Sequence, residues 1–127
     1  MSKTTALRKL VREMLQTVPG ETYHKHPSAD AKYPYKVFRL SSVEFPNLDR
    51  DDLELEVDIW DRNASADPKV AEDIADQVEA LFHNTINPQP PLYPAFFRDD
   101  RFDLEDPDKT LQHIQLHFLV QLHEMEE

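Results

Sequence analysis

Cysteine is missing altogether from this sequence of 127 residues. Disulfides, thiolate metal sites and cysteine nucleophiles all require that residue, so its absence excludes the three together. The chain must therefore be stabilised by its hydrophobic core, and a domain of this length buries roughly two-thirds of the surface that its unfolded chain exposes. The sequence predicts one ordinary domain, compatible with a reducing compartment.

Glycine is nearly as scarce, since Gly20 is the only one. Phosphate-binding loops and dinucleotide folds need several glycines at fixed spacing, because their backbone must approach the ligand closely. Sites of those two kinds are excluded, and we expect no cofactor. The turns must instead use the ten prolines together with Asn and Asp.

Positive charge is also in short supply, with 14 Lys and Arg against 25 Asp and Glu and a formal net charge of −11. Non-specific affinity for nucleic acid comes mostly from Lys and Arg, and no basic run here exceeds two residues. We therefore expect neither DNA nor an anionic membrane as a binding partner. Residues 1–18 alternate apolar and charged positions, which predicts neither a signal peptide nor a membrane span.

The first half of the chain predicts one helix and three strands. An apolar stripe at helical spacing gives the helix, which Pro19-Gly20 ends. Residues 21–31 predict a short strand and a loop, and residues 33–45, which include Val43 and Phe45, predict a second strand before a polar loop at 46–51. Residues 53–60 alternate strictly, as in a half-buried antiparallel strand. One of its faces carries Leu53, Leu55, Val57 and Ile59, and the other carries Glu54, Glu56, Asp58 and Trp60.

The second half predicts a helix and two more strands. Asp67-Pro68 is typical of a helix start, and this helix should end near residue 82 or 83. The prolines of residues 87–91 require an extended connector. Residues 92–101 then predict a strand, residues 99–108 an acidic turn, and residues 111–123 an alternating last strand.

These elements predict an α+β fold formed by a single domain that spans residues 1–127. We expect one antiparallel or mixed sheet of about four to five strands, with two helices packed on one face. The expected order along the chain is α-β-β-β-α-β-β.

Three histidines of the last element, His113, His117 and His123, could suggest zinc. A His-x-x-x-His spacing binds a metal on a helix, but the alternation places these residues on a strand, where four residues span about 13 Å. His24 and His26 share a face but supply only two ligands. We therefore expect no metal.

Carboxylates are frequent, yet their spacing predicts no catalytic site. The acidic segment 99–108 lacks the glycine and the ligand positions of an EF-hand loop, so it predicts a solvated turn. Glu54, Glu56 and Asp58 line one strand face, but no nucleophile, base or pocket can be identified around them. They indicate a hydrated sheet face or a subunit contact, and we predict no catalytic residue.

Aromatic side chains give the clearest candidates for a contact surface. Trp60 interrupts the charge of its strand face, and the adjacent Phe96 and Phe97 must point in opposite directions on a strand. Exposed aromatics beside polar groups are typical of interface cores, although another element of the same chain could equally cover them. The candidate interface for a subunit or partner comprises Trp60, Phe96, Phe97, Glu54, Glu56 and Asp58.

Several features, taken in order, carry a resemblance that extends over nearly the whole chain. They are the first helix closed at Pro19-Gly20, Tyr23 followed by Pro27, the run Tyr33-Pro34-Tyr35-Lys36-Val37-Phe38, the strand Leu55-Glu56-Val57-Asp58-Ile59-Trp60-Asp61, the helix of Ala71, Ile74, Ala75 and Val78, the acidic turn and the alternating strand 111–122. In this order the sequence resembles the tail-completion, or tail-terminator, proteins of long-tailed bacteriophages and prophages. The proline-tyrosine strand and the later Trp-Asp strand end are the most specific part.

The resemblance implies a structural protein rather than an enzyme. Such proteins form a ring, commonly a hexamer, that caps the tail tube and joins the tail to the head. The implied partners are further copies of the chain, the tail tube protein and the head–tail connector protein, in the host cytoplasm during assembly and then in the virion. DNA would pass through the bore without specific binding. A neighbouring head–tail connector or adaptor, and more remotely a small cytoplasmic enzyme or toxin domain, remain alternatives.

Overall fold

The computed structural model describes residues 3–42 and 50–124, with only the backbone of Arg50. The elements are α1 (Lys3–Leu15), β1 (Glu21–His24), β2 (Tyr35–Ser42), β3 (Arg50–Arg62), α2 (Lys69–Phe82), β4 (Thr85–Ile86), β5 (Leu92–Leu104) and β6 (Leu111–Glu124). Val43, Phe45 and residues 46–49 of the predicted polar loop lie outside the described residues. The last two residues of that predicted loop, 50 and 51, belong to β3.

The strands form one mixed sheet in the order β1-β2-β3-β6-β5-β4. β1 runs parallel to β2, and every other neighbouring pair is antiparallel. The α+β class is confirmed. The sheet has six strands instead of the expected four to five, because the expected order α-β-β-β-α-β-β did not include β4. That strand has only two residues, Thr85 and Ile86, which is too short for alternation to be recognised in the sequence.

Helix α1 ends earlier than its apolar stripe suggested. The helix stops at Leu15, and the amides of Thr17 and Val18 then bond to carbonyls only three residues back. Gly20 follows with a φ of +92°, and a Cβ at that position would lie 3.0 Å from the Pro34 carbonyl oxygen. The chain therefore needs glycine here to turn from α1 into the sheet.

Helix α2 begins at the predicted signal. The Asp67 carboxylate accepts the Lys69 amide at 3.0 Å, and the Glu72 amide bonds to the Pro68 carbonyl at 2.9 Å. Asp67 thus caps the first turn, and proline occupies a position where no amide hydrogen is needed.

The hydrophobic core lies between the two helices and one face of the sheet, which we call the inner face. Phe82 of α2 packs with its ring centroid 5.0 Å from that of Phe96 and 5.2 Å from that of Phe118. Alternate residues of the long strands complete this layer, as the sequence predicted. The buried members from β3 and β6 are Leu53, Leu55, Val57, Ile59, Ile114, Leu116, Phe118, Val120 and Leu122.

The predicted acidic turn is shorter than expected, because β5 continues through Leu104. A bulge between Arg98 and Asp100 shifts the register, and pairing with β6 then resumes. Arg101 reaches Asp76 of α2 at 2.7 Å, which fixes this part of the strand beside the helix. The Asp side chains in this part of β5 stay exposed, so these residues can belong to a strand and keep their hydration.

Candidate protein-contact face

The second face of the sheet, which we call the outer face, is covered by neither helix of the described chain. Both helices contribute to the core on the inner face, and the alternation of β3 and β6 sends every second side chain to the opposite side. The outer face carries Tyr35, Val37, Arg39, Glu54, Glu56, Asp58, Trp60, His113, Gln115, His117, Leu119, Phe97, Phe102 and Leu104.

Asp58 is the centre of a polar network on this face. Although only 4% of the residue is exposed, its carboxylate lies 2.6 Å from the His113 ring nitrogen and accepts hydrogen bonds from Gln115 at 3.0 Å and Arg39 at 3.2 Å. Burial raises the pKa of Asp58, but the hydrogen bonds from His113 and other neighbours outweigh it, so the pKa lies below its ordinary value. The charge is therefore held in place by partners of the same chain.

A second branch of the network connects the remaining carboxylates. Arg39 donates to Glu56 at 2.7 Å, and His117 contacts both Glu54 and, at 2.8 Å, Gln115. Burial and the nearby Asp58 carboxylate raise the pKa of Glu56, and Arg39 only partly offsets them. The pKa values of Glu56 and Asp58 therefore shift in opposite directions, as is typical of two neighbouring carboxyl groups that share hydrogen-bond donors.

Trp60 lies beside this network and is half-buried. Its ring stacks on the His113 imidazole with centroids 3.7 Å apart and an interplanar angle of 13°. Tyr35 is its partner on β2, and Tyr33 packs next to Tyr35 with the Arg62 guanidinium 5.5 Å from the Tyr33 ring. Trp60 therefore joins the polar network to an aromatic cluster, and one part of its surface remains open to solvent.

The two adjacent phenylalanines point to opposite faces, as expected for a strand. Phe96 is fully buried in the core, so its inclusion among the candidate interface residues is corrected: its ring is covered by Phe82 of the same chain. Phe97 lies on the outer face opposite Leu119 and is half-buried. Phe102, which the sequence analysis did not single out, is 43% exposed on that face and meets His117 edge-on.

The histidines are distributed rather than gathered around one point. His113 and His117 bond to different carboxylates, and His24 packs against Phe38 on the inner side. Within residues 3–42 and 50–124, no group of three or more potential ligands could hold a metal ion.

Lys36 is a second polar feature that sequence reasoning missed. It is completely buried in β2, where its ammonium donates to the carbonyls of Val18 and Pro19, both at 2.9 Å, and of Gly20. Burial lowers the pKa of Lys36 to about 8. The available signal was its position in the strand. Lys36 shares a strand face with Phe38 and Leu40, so alternation sends a cation inward, next to the backbone carbonyls of the turn that follows α1.

No protein-family model and no curated protein matches this chain. No helix in the described segments is long and apolar enough to cross a membrane.

Proposed function

We propose that this chain is a structural subunit of a ring that caps a phage tail tube and joins the tail to the head. The observation that carries the proposal is the outer face: a broad sheet surface without a helix over it in the described chain. Its half-exposed aromatics, Trp60 and Phe97, lie beside a polar network whose charges are already paired. Such a surface suits contact with another folded protein.

The pairing of the charges matters for association. Burying an unpaired charge at an interface is costly, whereas a carboxylate that already has its donors loses little when water leaves. Asp58 has three such partners, and Glu56 has Arg39. The network also fixes side chains before a partner arrives, which reduces the entropy cost of binding.

The acidity of the chain fits a ring through which DNA passes. Six cations and 22 acids lie after residue 39, so most of the molecule repels phosphate. In this role DNA is not a ligand but a polymer that must move without adhering. The tail tube protein and the head–tail connector protein are the proposed partners, and the particle is the proposed final location.

The enzyme alternative finds less support in the geometry. A groove of about 370 Å³ lies between α1 and the proline-rich segment 87–91 of the same chain. It is lined by residues such as Leu10, Pro90 and Leu92. It opens on the inner side of the sheet, whereas the histidines and carboxylates of the network lie on the outer face. The groove and the titratable cluster therefore do not form one site.

The test is to mix the protein with isolated tail tubes of the phage or prophage that encodes it and to image the tube ends by electron microscopy. We expect a ring at one end with the wild type and bare ends with Trp60→Ala. Glu54→Lys, which reverses the charge of a half-buried position on the same face, should also weaken capping. Val70→Ala is the matched control, because it removes an exposed apolar side chain from α2 instead.

Circular dichroism and thermal melting must show that each variant is folded before its capping is compared. Bare tube ends with the wild-type protein at high concentration would refute the proposal. Rings that bind isolated head–tail connectors but not tubes would instead support the neighbouring adaptor role.

A further inference from the structure

Charge is distributed very unevenly along this acidic chain. The first 39 residues hold eight of its 14 Lys and Arg but only three of its 25 Asp and Glu. These residues form α1, β1 and the first half of β2, and β1 is one border of the sheet. Lys3, Lys36 and Arg39 already have partners within the chain, whereas four of the other cations lie near the β1 border of a molecule that is otherwise strongly negative.

Four cations at this border form what we call the basic edge. All are exposed or half-exposed, and none has an ion pair with another residue of the described ranges. Arg8, Arg12 and Lys25 act together on His24 at the end of β1: burial first, and then these three cations, lower the pKa of that histidine. Glu21 and Asp30 are the acids on this side. The basic edge comprises Arg8, Arg12, Lys25 and Lys32.

At the opposite border of the sheet, much of β5 has no partner among the described strands. β4 pairs only with Ala95 and Phe96, so from Phe97 to Leu104 no other described strand occupies that side of β5. Such a row of free amides and carbonyls is a template for another strand. Two exposed apolar side chains, Phe102 (43%) and Leu104 (38%), lie along it.

This border also carries negative charge that no described residue pairs with. Arg98 and Arg101 turn towards α2, where Glu79 pairs with both. Three carboxylates of β5 and one directly after it are left exposed, without an ion pair to any residue that the structure describes. These residues form what we call the acidic edge: Asp99, Asp100, Asp103 and Glu105.

We propose that the acidic edge of one copy docks against the basic edge of a second copy, so that neighbouring sheets join edge to edge. This inference rests on the proposed ring and names its subunit contact. Two acidic edges would repel each other, so the charges favour a head-to-tail contact over a two-fold one. Head-to-tail contacts generate rings when their rotation closes.

Apolar groups add to this contact on the same side of the sheet. Phe102 and Leu104 lie at the β5 border of the outer face, and Tyr33, which is 40% exposed, lies with Tyr35 near the β1 border. When two sheets meet with their outer faces aligned, these side chains come together. Charge selects the partner edge, and the aromatic and aliphatic surface supplies the burial.

The lack of cysteine permits a direct test by cross-linking. Lys25→Cys and Asp103→Cys each introduce one thiol, and a short bis-maleimide joins thiols that meet. We expect covalent dimers when the two variants are mixed and about tenfold fewer when Lys25→Cys is mixed with Lys69→Cys, an exposed control at the start of α2. Equal yields in the two mixtures would overturn the inference.

Charge reversal tests whether the two edges recognise each other. Adding Asp99→Lys and Asp100→Lys to the Asp103→Cys protein should lower its cross-linking to Lys25→Cys about tenfold. Adding Arg12→Glu and Lys32→Glu to the Lys25→Cys protein should have a similar effect. Mixing the two reversed proteins should restore the yield, because the charges again match; no recovery between folded variants would contradict the pairing.

The same thiols separate this inference from the proposed function. A chain with both Lys25→Cys and Asp103→Cys is added to tail tubes and then cross-linked. Tube-end rings that become covalently closed support both claims. Rings that stay unlinked would refute the edge contact and leave the capping function standing. Cross-linked oligomers beside bare tubes would support the edge contact and refute the capping function.

Discussion

Replacing Lys36 with methionine tests the least expected feature of the fold. Methionine keeps the length and most of the apolar stem, but it removes the ammonium that donates to the carbonyls of Val18, Pro19 and Gly20. A hydrogen bond to a charged group contributes about 1.5–3 kcal/mol, and an acceptor that loses its partner in a buried site costs about 1–3 kcal/mol. Removing the buried charge recovers several kcal/mol of desolvation, which offsets part of this loss.

We therefore expect Lys36→Met to lower the free energy of unfolding by about 2–4 kcal/mol at neutral pH. Urea denaturation followed by circular dichroism measures it. Lys32→Met is the matched control, since Lys32 is exposed and should change stability by no more than about 0.5 kcal/mol. Equal stabilities of the two variants would refute the idea that Lys36 holds the end of α1 against the sheet.

The pH dependence provides a second measure of the same residue. The pKa of Lys36 is lowered from 10.5 in the unfolded chain to about 8 in the fold. Between these values the unfolded chain binds more protons, so the contribution of Lys36 to the unfolding free energy rises with pH. The gap between wild type and Lys36→Met should thus widen from pH 8 to 10.5, by at most about 3 kcal/mol. A constant gap would contradict the lowered pKa.

Two further predictions concern the two faces of the central strands. Phe118→Ala should lower the free energy of unfolding by about 3–5 kcal/mol, because the Phe118 side chain is fully buried against Phe82. Leu119 is half-buried on the outer face, so Leu119→Ala should lower it clearly less in the same urea assay. Asp58→Asn should lower the free energy of unfolding by about 2 kcal/mol above pH 3.8, and this difference from wild type should disappear on acidification. The pKa of Asp58 is lower in the fold than its unfolded value of 3.8, so its stabilisation is complete above pH 3.8 and is lost as the pH falls through the folded pKa. Acid titrations that unfold both proteins in parallel would contradict this role of Asp58.

The long elements could be predicted from the sequence because one physical pattern dominates each of them. Residues 53–60 and 111–123 alternate with period two, and α2 combines a capping Asp67 with an apolar stripe. Burial of one face is the main stabilising term in these segments, so the pattern of apolar residues determines both the element and its orientation.

The elements that were misjudged depend on tertiary contacts that no local pattern records. β4 exists because Thr85 and Ile86 pass beside Phe96 and Ala95, and two residues cannot display a period. β5 extends through an acidic stretch because β6 continues beside it and α2 supplies carboxylates for Arg98 and Arg101. Local preference for turns at Asp was overridden by pairing with a neighbouring strand.

The candidate surface was only partly accessible to sequence reasoning. Alternation grouped Glu54, Glu56, Asp58 and Trp60 on one face, but it does not reveal what lies across the sheet. The register that places Asp58 opposite Gln115 and Trp60 opposite His113 turns those residues into a bonded network. Equally, alternation separates Phe96 from Phe97 without telling which one faces the helices.

Lys36 and the acidic edge show opposite outcomes for charge in the same sheet. The Lys36 ammonium is buried because three carbonyls near the end of α1 accept its hydrogens, so it contributes to the fold and is closed to partners. The acids of β5 have no such partners among the described residues, and they lie along a strand with a free side. A charge satisfied within the chain stabilises the monomer, whereas exposed charges on a strand edge, without a partner among the described residues, can gain one from another molecule. For this reason the acidic edge, rather than the bonded network around Asp58, is where association should be most sensitive to salt: raising the ionic strength should reduce cross-linking of Lys25→Cys to Asp103→Cys while leaving the melting temperature of the monomer nearly unchanged.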